Sequence, residues 1–271
     1  GSTIEGNSIT SGFADASGAG LYLSADSSWD SSVTIEDTSI SNNYLSHTTT
    51  SIYADAQGAG ISIKGIKEVS LSGLTFEVNT ITSDGRSSDG GGLHIYGGIS
   101  STALNIQNTI FSENEAVNTG TDYEARGGGL YISDIIESNI ENSLFYANEA
   151  NHEGSSFLSS NAYGGAIFIQ ADTTNLTNVT LSANKAQGQD VSFGGAIFAY
   201  DEAVVNIAHS TITNNEASGG IAAYGGGLSR IPPSSSTEEK FNLINTILTD
   251  NSVSGTTTTG PDCYETIYTY G

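Results

Sequence analysis

The chain is expected to be an all-β, right-handed parallel β-helix: about seven three-strand coils plus a partial N-terminal coil. Three observations predict this: a block that recurs in fixed register, a glycine-led strand start between successive blocks, and no segment with helical periodicity.

The blocks all end in asparagine. They run from VTIEDTSISNN (33–43) through VSLSGLTFEVN (69–79), ALNIQNTIFSEN (103–114), SNIENSLFYAN (138–148), TNLTNVTLSAN (174–184) and VNIAHSTITNN (205–215) to FNLINTILTDN (241–251). Aligned without gaps, they share an aliphatic column: Ile35, Leu71, Ile106, Ile140, Leu176, Ile207 and Leu243. Five residues later comes a large apolar column of Ile40, Phe76, Phe111, Phe145, Leu181, Ile212 and Leu248. Three residues further on, every copy has asparagine: Asn43, Asn79, Asn114, Asn148, Asn184, Asn215 and Asn251. Stacked coils would bury the first two columns. The asparagines would tolerate a left-handed corner and bond their amides to the copies above and below. An earlier polar corner is marked by Asn108, Asn142, Asn178 and Asn245, with Asp37, Gly73 and His209 in the other copies.

Between blocks, a polar loop of variable length leads into GAGLYL (18–23), GAGISI (58–63), GGGLHI (90–95), GGGLYI (127–132), GGAIFI (164–169), GGAIFA (194–199) or GGGLSR (225–230). These glycines permit the bend by which the loop re-enters the sheet. A phosphate-cradling reading would need a helix to follow, and none does. STIEGNSITSG (2–12) aligns as a partial block, with Ile4 and Ile9 in the apolar columns and Gly12 in place of asparagine. The expected organisation is one β-helix domain over 1–251, with 252–271 a partial terminal coil or linker, in a fragment of a larger protein.

Acidic residues number 30 against 7 basic ones, for a net charge of −23. That balance argues against nucleic acid and anionic membrane, both of which call for clustered Lys and Arg. No run approaches the ~18–20 apolar residues of a membrane span, so this segment is not expected to insert directly. A lone Cys263 leaves no intrachain disulfide. A partner cysteine beyond residue 271 and a free thiol both remain open.

The pairing of GGAI (164 and 194) with Phe76 to Asn79, Phe111 to Asn114 and Phe145 to Asn148 resembles the repeat of chlamydial polymorphic outer membrane proteins. NTILTDN followed by GPDC (245–263) is similar to closing repeats of secreted β-helix proteins. The resemblance implies a secreted, surface-exposed passenger or adhesin segment. It does not extend to a β-barrel translocator, which no part of the sequence matches.

Strand alternation places Tyr22, Ser62, His94, Tyr131, Phe168, Phe198 and Ser229 outward from the glycine-led strands. The ring-bearing members, Tyr22, His94, Tyr131, Phe168 and Phe198, are candidate contacts for a sugar ring, a protein or a neighbouring chain. The other reading is a self-packed ladder covered by loops. Loops 117–126 and 150–163, with Tyr123, Glu124, His152 and Phe157, are a second candidate surface. The motif ADAxGAG occurs at 14–20 and 54–60, which would stack Asp15 on Asp55 and offers calcium as a possible cofactor. No catalytic or metal residues are assigned otherwise. The expected function is adhesion to a protein or glycan; the alternatives are a passive stalk and a polysaccharide lyase or glycoside hydrolase. Against an enzyme, the basic residues are scattered and the paired Asp-Asp and Gly-His-Gly of pectinase-like hydrolases are missing.

Overall fold

The structure, a computed structural model, describes residues 1–12, 14–26, 30–48, 54–98, 102–121, 123–154, 160–200, 203–230, 241–264 and 267–270. They form a parallel β-solenoid. One coil shows the plan: Leu93–Tyr96 and Ala103–Gln107 lie in sheet 1, Ile110–Ser112 in sheet 2, Glu115–Asn118 in sheet 3 and Glu124–Arg126 in sheet 4. Each strand pairs in parallel with its copy in the next coil, as Leu93 does with Leu130, Phe111 with Phe145 and Ala125 with Ala162. In the following coil the two runs of sheet 1 fuse into one strand, Leu130–Glu141, with a register shift between Ser133 and Ile135.

The coil therefore holds more than the three strands expected. The polar stretch after each asparagine is not simply loop: it carries the strands of sheets 3 and 4. Sheet 3 turns in Ala116, Ala150, Ala186 and Ala217, and sheet 4 turns in Ala125, Ala162 and Ala223, all fully buried. Alanines bring the two sheets close and make a thin secondary core, with Ala125, Ala150, Ala162 and Ala186 in one cluster. The main core lies between sheets 1 and 2, where Leu93, Ile106, Phe111, Ile132, Ile140 and Phe145 are fully or almost fully buried. Phe76, Phe111 and Phe145 stack face to face, with centroids 4.7 and 4.6 Å apart.

The asparagine column is a buried amide ladder. Asn148 is representative: its Nδ2 donates to Asn184 Oδ1 (3.0 Å) and to Phe111 O (2.9 Å). Its Oδ1 accepts from Asn114 Nδ2 (2.9 Å) and from the Asn114 backbone N–H (3.1 Å). Both donors and both acceptor sites of the amide are satisfied inside the protein. The ladder begins one register away from the expected place. Ile4 pairs with Ile40, so Ile4 occupies the large apolar column and Asn7, not Gly12, stands in the asparagine position. Asn7 Nδ2 donates to Asn43 Oδ1 at 2.9 Å, while Ile9 aligns with Leu45 in sheet 3. At the other end Asp262 Oδ1 accepts from Asn251 Nδ2 (2.9 Å). Ser252–Ser254, Thr257–Thr259 and Cys263–Tyr264 continue sheets 3, 4 and 1.

The left-handed residues are not the ladder asparagines but their predecessors. Asn42, Val78, Glu113, Ala147, Ala183, Asn214 and Asp250 have φ between 52° and 58°. The earlier polar corner is also left-handed: Asp37, Gly73, Asn108, Asn142, Asn178, His209 and Asn245 are all at positive φ.

Val78 combines a β-branched side chain with φ 54° and is 40% exposed, so it is strained with little packing in return. Val78→Asn is expected to raise stability by about 1 kcal/mol in urea unfolding. Asn148→Ala strands Phe111 O and the Asn114 donors in a dry corner and is expected to cost about 3 kcal/mol or more. A loss under about 1 kcal/mol on the same measurement would remove the ladder from the account of stability.

Candidate functional site

The outer face of sheet 4 turns back against the outer face of the glycine-led run of sheet 1. The first contributes Gln57, Asp89, Arg126, Tyr163, Phe193 and Tyr224, which follow one another in register. The second contributes Tyr22, Ser62, His94, Tyr131, Phe168, Phe198 and Ser229. The sequence places this second column away from the main core, and it does point away. The expectation of an open surface is corrected, because sheet 4 covers it. His94, Tyr131, Phe168 and Phe198 are buried, while Tyr22 remains 47% exposed. As the alternative reading had it, the rings form a ladder: His94 on Tyr131 (5.1 Å), Tyr131 on Phe168 (4.9 Å), and Phe168 against Phe198 (5.5 Å). Tyr163 and Phe193 close over them.

The cleft changes character along its length. At one end Arg126 holds Asp89 through two hydrogen bonds, 2.7 and 2.9 Å, with Glu124 at 3.6 Å. Its guanidinium also lies 5.1 Å from the Tyr131 ring centre and 5.5 Å from that of Phe168. Burial opposes the Arg126 charge, and the Asp89 carboxylate outweighs that and keeps it protonated. Burial likewise pushes the Asp89 carboxyl up against the pull of Arg126. His94 lies 3.3 Å from Ser62 Oγ, and burial beside Arg126 and Lys64 lowers it to about 3, so it is neutral. Burial pushes the Tyr131 hydroxyl up to about 12.

Asp15 and Asp55 do stack in adjacent coils: the Asp55 backbone N–H donates to Asp15 Oδ1 at 3.0 Å. Asp55 also faces Arg86 at 3.9 Å, and burial followed by repulsion from Asp89 raises it to about 6. Among the described residues no group of three or more His, Cys, Asp or Glu is arranged to hold a metal ion.

In the loop candidates, Tyr123 and Glu124 are half-buried. His152 is not presented to solvent. It is fully buried at the end of Glu149–His152, and burial lowers its pKa. Phe157 lies outside the described residues.

The opening of the aromatic end is the best-formed site. Glu124, Arg126, Tyr163, Phe168, Gln170, Phe198 and Tyr200 line a depression of about 240 Å³. A second, about 190 Å³, is lined by Asp134, Ile135, Gln170, Ala171, Asp172, Tyr200 and Ala203. Gln170 and Tyr200 belong to both and form the ridge between them. Tyr200 is 42% exposed, with its ring 6.3 Å from Phe168 and roughly parallel to it. A larger depression of about 270 Å³ has no ring among its described lining residues, Asp30, Ser31, Ser32, Lys67 and Glu68. Sequence reasoning found Phe168 and Phe198 but missed Tyr163, Gln170 and Tyr200. The overlooked signal was the aromatic residue directly before the glycines in NAYGGA, VSFGGA and AAYGGG.

Comparison with known proteins finds no matching family model, curated protein or solved structure.

The raised Asp55 pKa makes a pH prediction. Below the unfolded value of 3.8 both states are protonated at Asp55. Above about 6 the folded state carries the carboxylate at a cost, so this site's contribution to stability is lost as pH rises through that window. Asp55→Asn is expected to be more stable than the parent by about 1–2 kcal/mol at pH 7, allowing for partial exposure. The two melting temperatures should converge towards pH 4, and a pH-independent gap would contradict the assignment.

Proposed function

We propose that this solenoid is a secreted or cell-surface adhesive segment, of the kind found in polymorphic outer membrane proteins, that binds its partner at the Gln170–Tyr200 ridge. The observation that carries the reading is the exposed Tyr200 ring, fixed between two depressions rimmed by charged and amide groups. Small concave sites with aromatic walls and a few convergent polar groups are where ligands bind. The ridge rests on the buried ring ladder, and rigid support of this kind limits the ordering cost of binding.

The proposed role is non-enzymatic. Asp55 and Asp89 repel each other, but Asp89 is buried and bound in both oxygens by Arg126. A passive stalk is the second reading, favoured by an amide ladder that runs unbroken from Asn7 to Asp262.

An array of glycans and matrix proteins, probed with the purified chain with and without calcium, separates the two. A specific hit that is lost in Tyr200→Ala is expected. Silence from the folded protein would leave the stalk, and a hit indifferent to Tyr200 would move adhesion elsewhere.

A further inference from the structure

Resting on that reading, we infer that the ridge takes an uncharged oligosaccharide, with one sugar ring in each of the two depressions and the chain crossing Tyr200. The chemistry on each side of the ridge disfavours anionic and extended apolar ligands. An anionic sugar would meet Glu124 on one side and Asp134 and Asp172 on the other, in a chain of net charge −23. Arg126, the one cation among the described residues lining either depression, is already engaged by Asp89 at 2.7 and 2.9 Å and by Glu124 at 3.6 Å. A cationic group is drawn to Glu124, Asp134 and Asp172 and to the exposed Tyr200 ring, which makes cationic chitosan oligomers the competing ligand in the test. An extended apolar segment would leave the Gln170 amide and the carboxylates without partners at the contact.

A neutral sugar meets none of these objections. Its hydroxyls both donate and accept, which suits carboxylates that only accept and an amide that does both. Its axial C–H face stacks on an aromatic ring, and Tyr200 offers an exposed one. The sharing of Gln170 and Tyr200 by both depressions sets the length. One ring cannot fill both, and two linked rings can straddle the ridge.

The test is calorimetry with neutral gluco-, manno- and galacto-oligosaccharides of increasing length, beside galacturonate and chitosan oligomers. In at least one neutral series, affinity is expected to rise about tenfold or more from one unit to two and then level off. Tyr200→Ala should weaken the dimer by about tenfold or more. Asp172→Ala should weaken the dimer but not the monomer if the monomer sits beside Phe168. Thermal melts confirm that each variant is folded, and Tyr200 and Asp172 lie at the surface. Preference for galacturonate or chitosan oligomers, or an affinity flat with length, overturns the inference while leaving a binding site at Tyr200. A Tyr200-dependent protein hit on the array with no sugar binding does the same. No binding of any kind overturns both.

Discussion

The buried asparagine amide holds the coils in register. A parallel stack could slip by one residue in any coil and exchange every inward side chain for an outward one. The ladder forbids this locally. Each amide takes both its donated and its accepted bonds from fixed neighbours, as Asn148 does from Asn114, Phe111 and Asn184. A slipped coil would leave several buried polar groups unpaired at once, each at a cost of about 1–3 kcal/mol. Because the column sits where sheet 2 turns into sheet 3, it also fixes where the side lobe leaves the main core.

The aromatic cleft depends on that placement. Sheets 3 and 4 lie close because they meet through alanine, and this proximity folds sheet 4 back over the glycine-led run. Rings that strand alternation directs away from the main core thereby acquire a second one. Beside the buried rings, Tyr200 brings ring surface to solvent, backed by Phe168.

The parts legible in sequence are those repeated with constant spacing. The aliphatic, large apolar and asparagine columns appear as identities at fixed intervals because every copy meets the same contacts. The N-terminal register is ambiguous in the sequence because Ile4 and Ile9 match the apolar spacing in two ways, and only pairing with Ile40 decides between them. Sheets 3 and 4 leave little trace in the sequence because their strands are three or four residues long in most coils and most of their inward residues from Ala116 onward are alanines, which carry little hydrophobic contrast. The left-handed corner before each ladder asparagine had no signature, since Val78, Glu113 and Ala147 are not residues that favour it. Tyr200 carries no repeat signal because it lies just past the strand Ile197–Ala199, outside the aligned columns.

A solenoid backbone is close to translationally symmetric, each coil nearly superposable on the next. The cleft breaks that symmetry. Asp89, Arg126 and His94 make one end hydrophilic and ion-paired, whereas Tyr163, Phe193 and Phe198 make the other a continuous hydrocarbon seam. The rod therefore has a direction written in its side chains, and a molecule lying along it meets a different chemical environment in each orientation. That vector makes the two ends of the cleft chemically inequivalent.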